Sequence, residues 1–406
     1  MTSVIPHVPA GRPLPSPEWL LSGGTLTDDD ALGLVDVDGA GVAELCEIAS
    51  ELRDRGRGRV ITFSPKVFIP LTRLCRDFCG YCTFRQSPDE ADELFLSADA
   101  VLSVAKAGER LGCTEALFTL GERPEQRYAE AGEWLHEHGH RTTLSYLSEM
   151  CQRVFDETDL LPHGNPGTMS RRELQALQPT NPSVGIMLES SSPRLYEPGG
   201  PHEFAPSKRP RVRLRTMELA GELGIPFTTG ILIGIGETRT ERVESLLAIR
   251  ELHQRFGHIQ EVIVQNFRAK PDTPMADEPD AAGDELMWTT AVARLILGEH
   301  VNIQVPPNLS EDYERYIDAG INDWGGVSPL TIDYVNPEAP WPQLAELQRR
   351  TEAAGYELRP RLPVYPEYFA EGSDWPLPPR MKEKLRRLTD EDGYVKGRMQ
   401  RYARND

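Results

Sequence analysis

The stretch Lys66-Val-Phe-Ile-Pro-Leu-Thr72 leads, after two residues, into Cys75-Arg-Asp-Phe-Cys79-Gly-Tyr-Cys82. The first part is a short apolar run of strand character, and the second gathers three of the six cysteines within eight residues. A strand that ends on a loop bearing chemistry is the repeating unit of parallel βα architectures. Further runs of this kind lie at 115–120, 160–163, 183–188, 226–233, 261–266, 301–305 and 321–325. Between them the spacing predicts helices near 98–111, 125–138, 143–157, 170–177, 211–223, 239–256, 283–297, 310–319 and 341–354. Ser170 with Glu173, and Thr238 with Glu241, have capping-box spacing, while Gly112, Gly224, Gly257, Gly320 and Gly355 stand where helices should stop. Eight strand–helix units over residues 60–355 suit an α/β fold, a (β/α)8 TIM-type barrel, although periodicity alone leaves a doubly wound sheet open.

Outside the barrel, residues 1–59 read as a leader, poorly structured to about residue 37, and then a helix over 38–55. Val42, Leu45, Ile48, Ala49 and Leu52 give that helix a packing face, with Cys46 beside it as a small buried thiol. Residues 356–406 form a tail with a basic helix-like run around Met381 to Leu388. The 406 residues carry 44 basic and 63 acidic side chains, a formal charge of −19, which gives no electrostatic support to phosphate-tracking nucleic-acid binding. The most apolar stretch, Phe227 to Ile235, is far short of the roughly 20 residues of a membrane span. Met1 to Trp19 lacks the regions of a secretory signal, so the expected setting is the cytoplasm. In that setting clustered cysteines point to metal rather than to disulfides.

Three thiolates on one loop can hold three irons of a cubane and leave the fourth open, as a catalytic cluster requires. A structural zinc would need a fourth Cys or His, and none lies between residues 60 and 112 apart from these three; a distant histidine could still supply it. Phe78 and Tyr81 would shield a cluster from solvent.

The pattern C-x-x-x-C-x-aromatic-C after the first strand of a βα barrel resembles the radical S-adenosylmethionine (radical SAM) superfamily. The stretch from Phe63 to Phe84 is similar to the subunit 1 family of deazaflavin synthases. So are Glu115–Pro124, Leu161–Gly167, Ile225–Thr238, Val262–Lys270 and Asp323–Pro329. The resemblance implies one [4Fe–4S] cluster on Cys75, Cys79 and Cys82, with S-adenosylmethionine chelated at the open iron. An electron passed into the sulfonium would release methionine and a 5′-deoxyadenosyl radical that abstracts hydrogen from the substrate.

The cofactor contacts follow by the same resemblance. Gly121 and Glu122 would meet the amino group, with Leu120 standing where the superfamily usually has a first glycine. Glu189 would hold the ribose or amino group and Arg213 the carboxylate, while Arg209, Arg211 and Arg215 read as a solvated basic face. In Gly230-x-Leu-x-Gly234-x-x-Glu237 the glycines would approach adenine and Glu237 order the loop. Tyr81 and Gln265 complete the cofactor set, with Asn266 beside Gln265. His163 and Asp323 are the candidate catalytic residues, among strand-end polar groups that include Thr119, Asn165, Thr228 and Asn308.

The implied substrate is a 5-amino-5-(4-hydroxybenzyl)-6-(D-ribitylimino)-5,6-dihydrouracil adduct. The enzyme, an ammonia-releasing lyase, would cyclise it to 7,8-didemethyl-8-hydroxy-5-deazariboflavin in factor 420 biosynthesis. The motif occurs once, so the resemblance implies a second synthase subunit, in a stable or a transient encounter, to supply the adduct, and a ferredoxin or flavodoxin to supply the electrons. The rival readings are the sister subunit that joins tyrosine to the diaminouracil, and a non-catalytic iron–sulfur or zinc protein.

Overall fold

Residues 16–397 are described by the structure, a computed structural model. Its strands are β1 (Val60–Pro70), β2 (Glu115–Thr119), β3 (Leu161–Asn165), β4 (Val184–Gly185), β5 (Phe227–Ile233), β6 (Ile259–Asn266), β7 (Asn302–Gln304), β8 (Asp323–Val327) and β9 (Glu357–Pro360). All pairings between them are parallel. Strands β1 to β8 neighbour one another in order and β8 returns to β1, so eight strands close a barrel and the doubly wound alternative falls away. Every residue of β5 is buried, as befits strands covered by barrel interior on one face and helices on the other.

The local signals explain where helices begin and end. Both capping boxes form, at Ser170 for Arg171–Leu177 and at Thr238 for Arg239–Phe256. All five glycines expected to stop helices have positive φ. The segment 310–319 is no α-helix: only Tyr313–Ile317 coils, as a 3-10 turn. Its one-sided burial of Tyr313, Tyr316 and Ile317 gives helical spacing, which so short a turn also satisfies.

Strand β1 starts earlier than the apolar run suggests. Val60–Phe63 pairs with β9, Lys66–Pro70 pairs with β2, and Pro65 falls where the neighbour changes, so its missing N–H costs no ladder bond.

The leader is folded from Ser16 onward, contrary to expectation. Helices Pro17–Leu21 and Asp28–Leu32 and the turn Gly33–Asp36 bury Leu20, Leu26, Ala31 and Leu34 in the main core. Five-residue helices leave too little periodicity to read, and Asp28, Asp29 and Asp30 are simply first-turn acids. Residues 1–15 of the leader and 398–406 of the tail lie outside the described residues.

After β9 the chain crosses the N-terminal end of the barrel. There Leu362, Val364, Tyr365 and Tyr368 join Phe155, Leu161 and the helix Pro379–Leu388 in a second apolar cluster. Among the described residues no helix is long and apolar enough to cross a membrane.

Candidate active site

Beyond β1 the chain forms the loop with Cys75, Cys79 and Cys82, all free thiols lining one end of a cavity of about 320 Å³. That volume is within the usual range for small-molecule sites. The N–H of Glu122 donates to Cys75 Sγ at 3.2 Å, a bond that would favour the thiolate. A Cβ on Gly121 would lie 1.9 Å from the Leu74 carbonyl oxygen, so glycine is what lets the end of β2 close on the cysteine loop. Burial pushes the Cys75 thiol up to about 12 and raises Cys79 as well, so these sulfurs ionise only against a strong positive charge such as a metal.

Among the described residues, no three His, Cys, Asp or Glu side chains are gathered as a single metal ion would need. A cubane instead takes one thiolate per iron, and three thiols spread along one loop fit that arrangement. Two other segments cover the loop: Phe78 N–H donates to Phe204 O at 3.0 Å, Gly80 N–H to Pro201 O at 2.8 Å, and Met275 N–H to Gly80 O at 3.0 Å. Tyr81 Oη meets His202 Nε2 at 2.9 Å inside this cover.

Of the expected cofactor contacts, Tyr81, Gly121, Glu122, Glu189, Arg213 and Gln265 share the wall of this one cavity. Glu122 accepts the Thr168 N–H at 3.0 Å and its hydroxyl, and burial raises its pKa. Glu189, at φ 65°, pairs with Lys208. Arg213, in the first turn of Pro210–Glu222, donates from Nε to Ser207 O at 3.0 Å and from Nη1 to Met187 O. Asn266 Oδ1 is buried without a partner among the described residues, an acceptor that a ligand in the cavity would satisfy.

Gly234 and Glu237 stand outside the wall. A Cβ on Gly234 would fall 2.7 Å from the Ala281 Cβ and 3.3 Å from the Cβ of Phe267, which itself lines the cavity, so the glycine packs between these two residues. Glu237 accepts the N–H groups of Gly234 at 2.8 Å and Ile235 at 2.9 Å and pairs with Arg242 at 2.6 Å, as a carboxylate that orders the loop.

Deeper in the barrel the wall is charged. Lys66 Nζ pairs with Glu115 at 3.3 Å, and Arg361 reaches Glu261 at 2.7 Å. Gly326 makes room here, since its Cβ would fall 1.3 Å from Lys66 Cε. Burial works against ionisation of Glu115, but Lys66, together with His163, the Ser64 hydroxyl and Arg361, outweighs it and holds the pKa below the usual range; burial lifts Glu261 to about 7 despite Arg361.

His163 lines the same cavity, and its Nδ1 lies 2.8 Å from Ser183 Oγ. The Ser183 hydroxyl proton is already donated to Pro363 O, so Ser183 can only accept from Nδ1–H, and Nε2 is the bare acceptor. Burial lowers His163 to about 4, which keeps the ring neutral at ordinary pH.

Asp323 is placed differently from a group that meets substrate. It opens β8 at the N-terminal end of the barrel, fully buried, and its carboxylate is held by Arg361 and Thr62. Asn308 is likewise engaged, with Asp333 at 3.1 Å and Ala339 O at 3.0 Å, whereas Thr119, Asn165 and Thr228 are in the wall. Cys46, Cys113 and Cys151 are buried away from the cavity. Sequence reasoning missed Lys66, Glu115, Glu261, Arg361 and Lys208. The signal for the first three was a charged residue opening each of three otherwise apolar runs.

Residues 69–249 match the family described as the radical SAM superfamily. The 7,8-didemethyl-8-hydroxy-5-deazariboflavin synthase of Methanopyrus kandleri is 53% identical over 338 residues, which cover 83% of this chain and 100% of that protein. The FO synthase of Streptomyces coelicolor is 51% identical over 92% of this chain but 45% of its own length. That of Mycobacterium tuberculosis is 49% identical over 91% and 45%. The chain thus spans under half the length of these FO synthases. Among solved structures, the FeFe-hydrogenase maturase HydG from Carboxydothermus hydrogenoformans superposes with a TM-score of 0.69 at 22% identity, covering 87% of this chain and 80% of that one. Methylornithine synthase PylB gives 0.64 at 18%, covering 84% and 96%. Both bear on the fold alone.

Proposed function

The chain belongs to the radical SAM superfamily and to its 7,8-didemethyl-8-hydroxy-5-deazariboflavin (FO) synthase family, and from that premise we propose that it catalyses the cyclising half of FO synthesis. Its substrate is the tyrosine–diaminouracil adduct, and ammonia leaves as the third ring closes, which makes the enzyme a carbon–nitrogen lyase. The observation that carries this reading is a three-thiol loop at one end of a cavity with a charged floor, in a chain matching the whole length of the Methanopyrus protein.

Cys75, Cys79 and Cys82 would hold one [4Fe–4S] cluster, and Glu122, Glu189 and Arg213 S-adenosylmethionine, which together supply hydrogen-atom abstraction. The protein's own part is to position and to exclude water. Lys208 fixes the Glu189 carboxylate, and the Glu122 N–H stabilises the Cys75 thiolate. Tyr81, His202 and Met275 close the loop against solvent. His163 offers a neutral Nε2 that accepts a substrate N–H or O–H and, with a pKa near 4, releases any proton it takes. Asp323 acts through Arg361, as a positioning residue.

The longer FO synthases are more than twice the length of the matched region, and a separate second chain would supply the adduct here. A low-potential carrier supplies the electron, and the free cysteines fit a reducing cytoplasm. The test is anaerobic reconstitution with iron and sulfide, then incubation with S-adenosylmethionine, dithionite and the adduct. Fluorescent deazaflavin and 5′-deoxyadenosine should form together. Formation of 5′-deoxyadenosine without deazaflavin would reject the substrate, and activity on tyrosine with the diaminouracil would favour the sister reaction.

A further inference from the structure

The cysteine loop carries a compact basic and aromatic cluster of which, apart from Arg85, no member lines the cavity. The Phe78 ring lies between two guanidiniums, with Arg85 Cζ 3.9 Å and Arg127 Cζ 4.1 Å from its centroid. Phe78 and Phe204 form an antiparallel bridge, which puts their side chains on one face. Phe204 is 65% exposed, the most exposed of the chain's large apolar side chains among the described residues. Arg209, stacked at 5.0 Å on Tyr196, and Arg211 extend the surface along the start of the helix Pro210–Glu222 and are exposed.

Charge decides what such a surface can receive. The chain carries −19 overall, yet among the described residues Arg85, Arg127, Arg209 and Arg211 have no carboxylate within ion-pair distance. The Glu90 carboxylate, which Arg85 also helps to hold below its usual pKa, accepts the N–H of Ser87 at 2.7 Å and its hydroxyl at 2.8 Å. A local positive face on a strongly acidic protein selects an acidic partner, and exposed aromatics rimmed by arginine are the usual composition of a protein contact. Its position is equally specific, because Phe78 directly precedes Cys79 and the face therefore overlies the cysteine loop from the solvent side.

We propose that Phe78, Phe204, Arg85, Arg127 and Arg209 form the docking face for a small acidic one-electron carrier protein. The assignment rests on the reading that Cys75, Cys79 and Cys82 hold an iron–sulfur cluster. In the docked complex the carrier is oxidised by one electron and the cluster is reduced by one, with no bond made or broken. Long-range attraction brings the carrier to this side of the barrel, and the two phenylalanines supply the apolar contact that orients it.

The probe is a recombinant flavodoxin, titrated anaerobically into the iron-loaded full chain at low and high salt. Wild-type binding should weaken steeply as salt rises. The double variant Arg127→Glu with Arg209→Glu should bind at least about tenfold more weakly, as two reversed charges at one interface require. Phe204→Ser should bind more weakly at all salt concentrations. In stopped flow the charge-reversal variant should lose rapid cluster bleaching by reduced flavodoxin while bleaching by dithionite, which needs no docking, is unchanged. A wild-type chain that takes up no iron overturns the cluster reading and the proposal with it. An iron-loaded chain that binds flavodoxin equally well with and without the substitutions, or equally well at all salt concentrations, overturns the docking face alone, as does a parallel loss of bleaching by dithionite.

Discussion

The guanidinium of Arg361 meets the carboxylate of Asp323 as a two-pronged pair, Nε to Oδ2 at 2.6 Å and Nη2 to Oδ1 at 2.9 Å, where water scarcely reaches either group. One partner comes from the segment after the barrel and the other from its last strand, so the pair ties the end of the chain to the floor of the cavity.

Removing one member should leave the other charged and unsatisfied in a medium that solvates it poorly. Asp323→Ala and Arg361→Met are each expected to lower stability by about 3–5 kcal/mol, read from urea midpoints. A loss below about 1 kcal/mol in both would mean that the floor is wetter than the burial implies.

Substituting Cys75, Cys79 or Cys82 by Ala should abolish iron uptake, whereas Cys46, Cys113 and Cys151 should tolerate Ala at only a stability cost. Gly121→Ala belongs with the first group in kind, because its methyl would meet the Leu74 carbonyl at 1.9 Å and push β2 away from the cysteine loop. Iron and sulfide analysis after anaerobic reconstitution checks all seven variants, and full loading of Gly121→Ala would show that the loop can give way.

Glu189→Gln and Arg213→Ala should keep the cluster absorbance while binding S-adenosylmethionine roughly 10- to 150-fold more weakly, the loss of one charge-assisted bond. Equilibrium dialysis with labelled cofactor measures this directly. Unchanged affinity in both would move the cofactor to another part of the wall.

Acid should destabilise the fold through its buried, neutral histidines. Burial lowers His163 and His258 to about 4, below the roughly 6.5 of the unfolded chain. Their contribution is therefore complete above about pH 6.5 and is lost as pH falls towards 4, because the unfolded chain takes protons that the folded one refuses. Each should lower stability by about 1.4 kcal/mol per pH unit within that window. Urea midpoints measured across it should drop for the wild type and less steeply for His163→Gln; an identical slope would assign the protons elsewhere.

The cysteine loop was legible because its chemistry is local: three ligands, their glycine and their aromatic cover lie within eight residues. The barrel was legible because apolar runs and helix stops repeat. The inner charged layer was hidden for two reasons. A strand buried on both faces does not say which side chains point inward, so Lys66, Glu115 and Glu261, each opening an apolar run, gave no sign that they line the interior. Arg361 enters from a segment that carries no repeat and meets Glu261 across 100 residues of sequence. Asp323 looked like an offered carboxylate because its partner was out of sight.

The segment that brings Arg361 and Pro363 into the wall also stoppers the N-terminal end of the barrel, with Pro363 O held by Ser183 and Gln260 and the apolar cluster behind it. A vessel with one doorway imposes a queue. Whatever reaches the charged floor must go in before anything that fills the mouth beside the cysteines, and it must come out afterwards. Product inhibition should therefore be ordered rather than random, and a bulky occupant of the rim should slow escape from the floor without touching it.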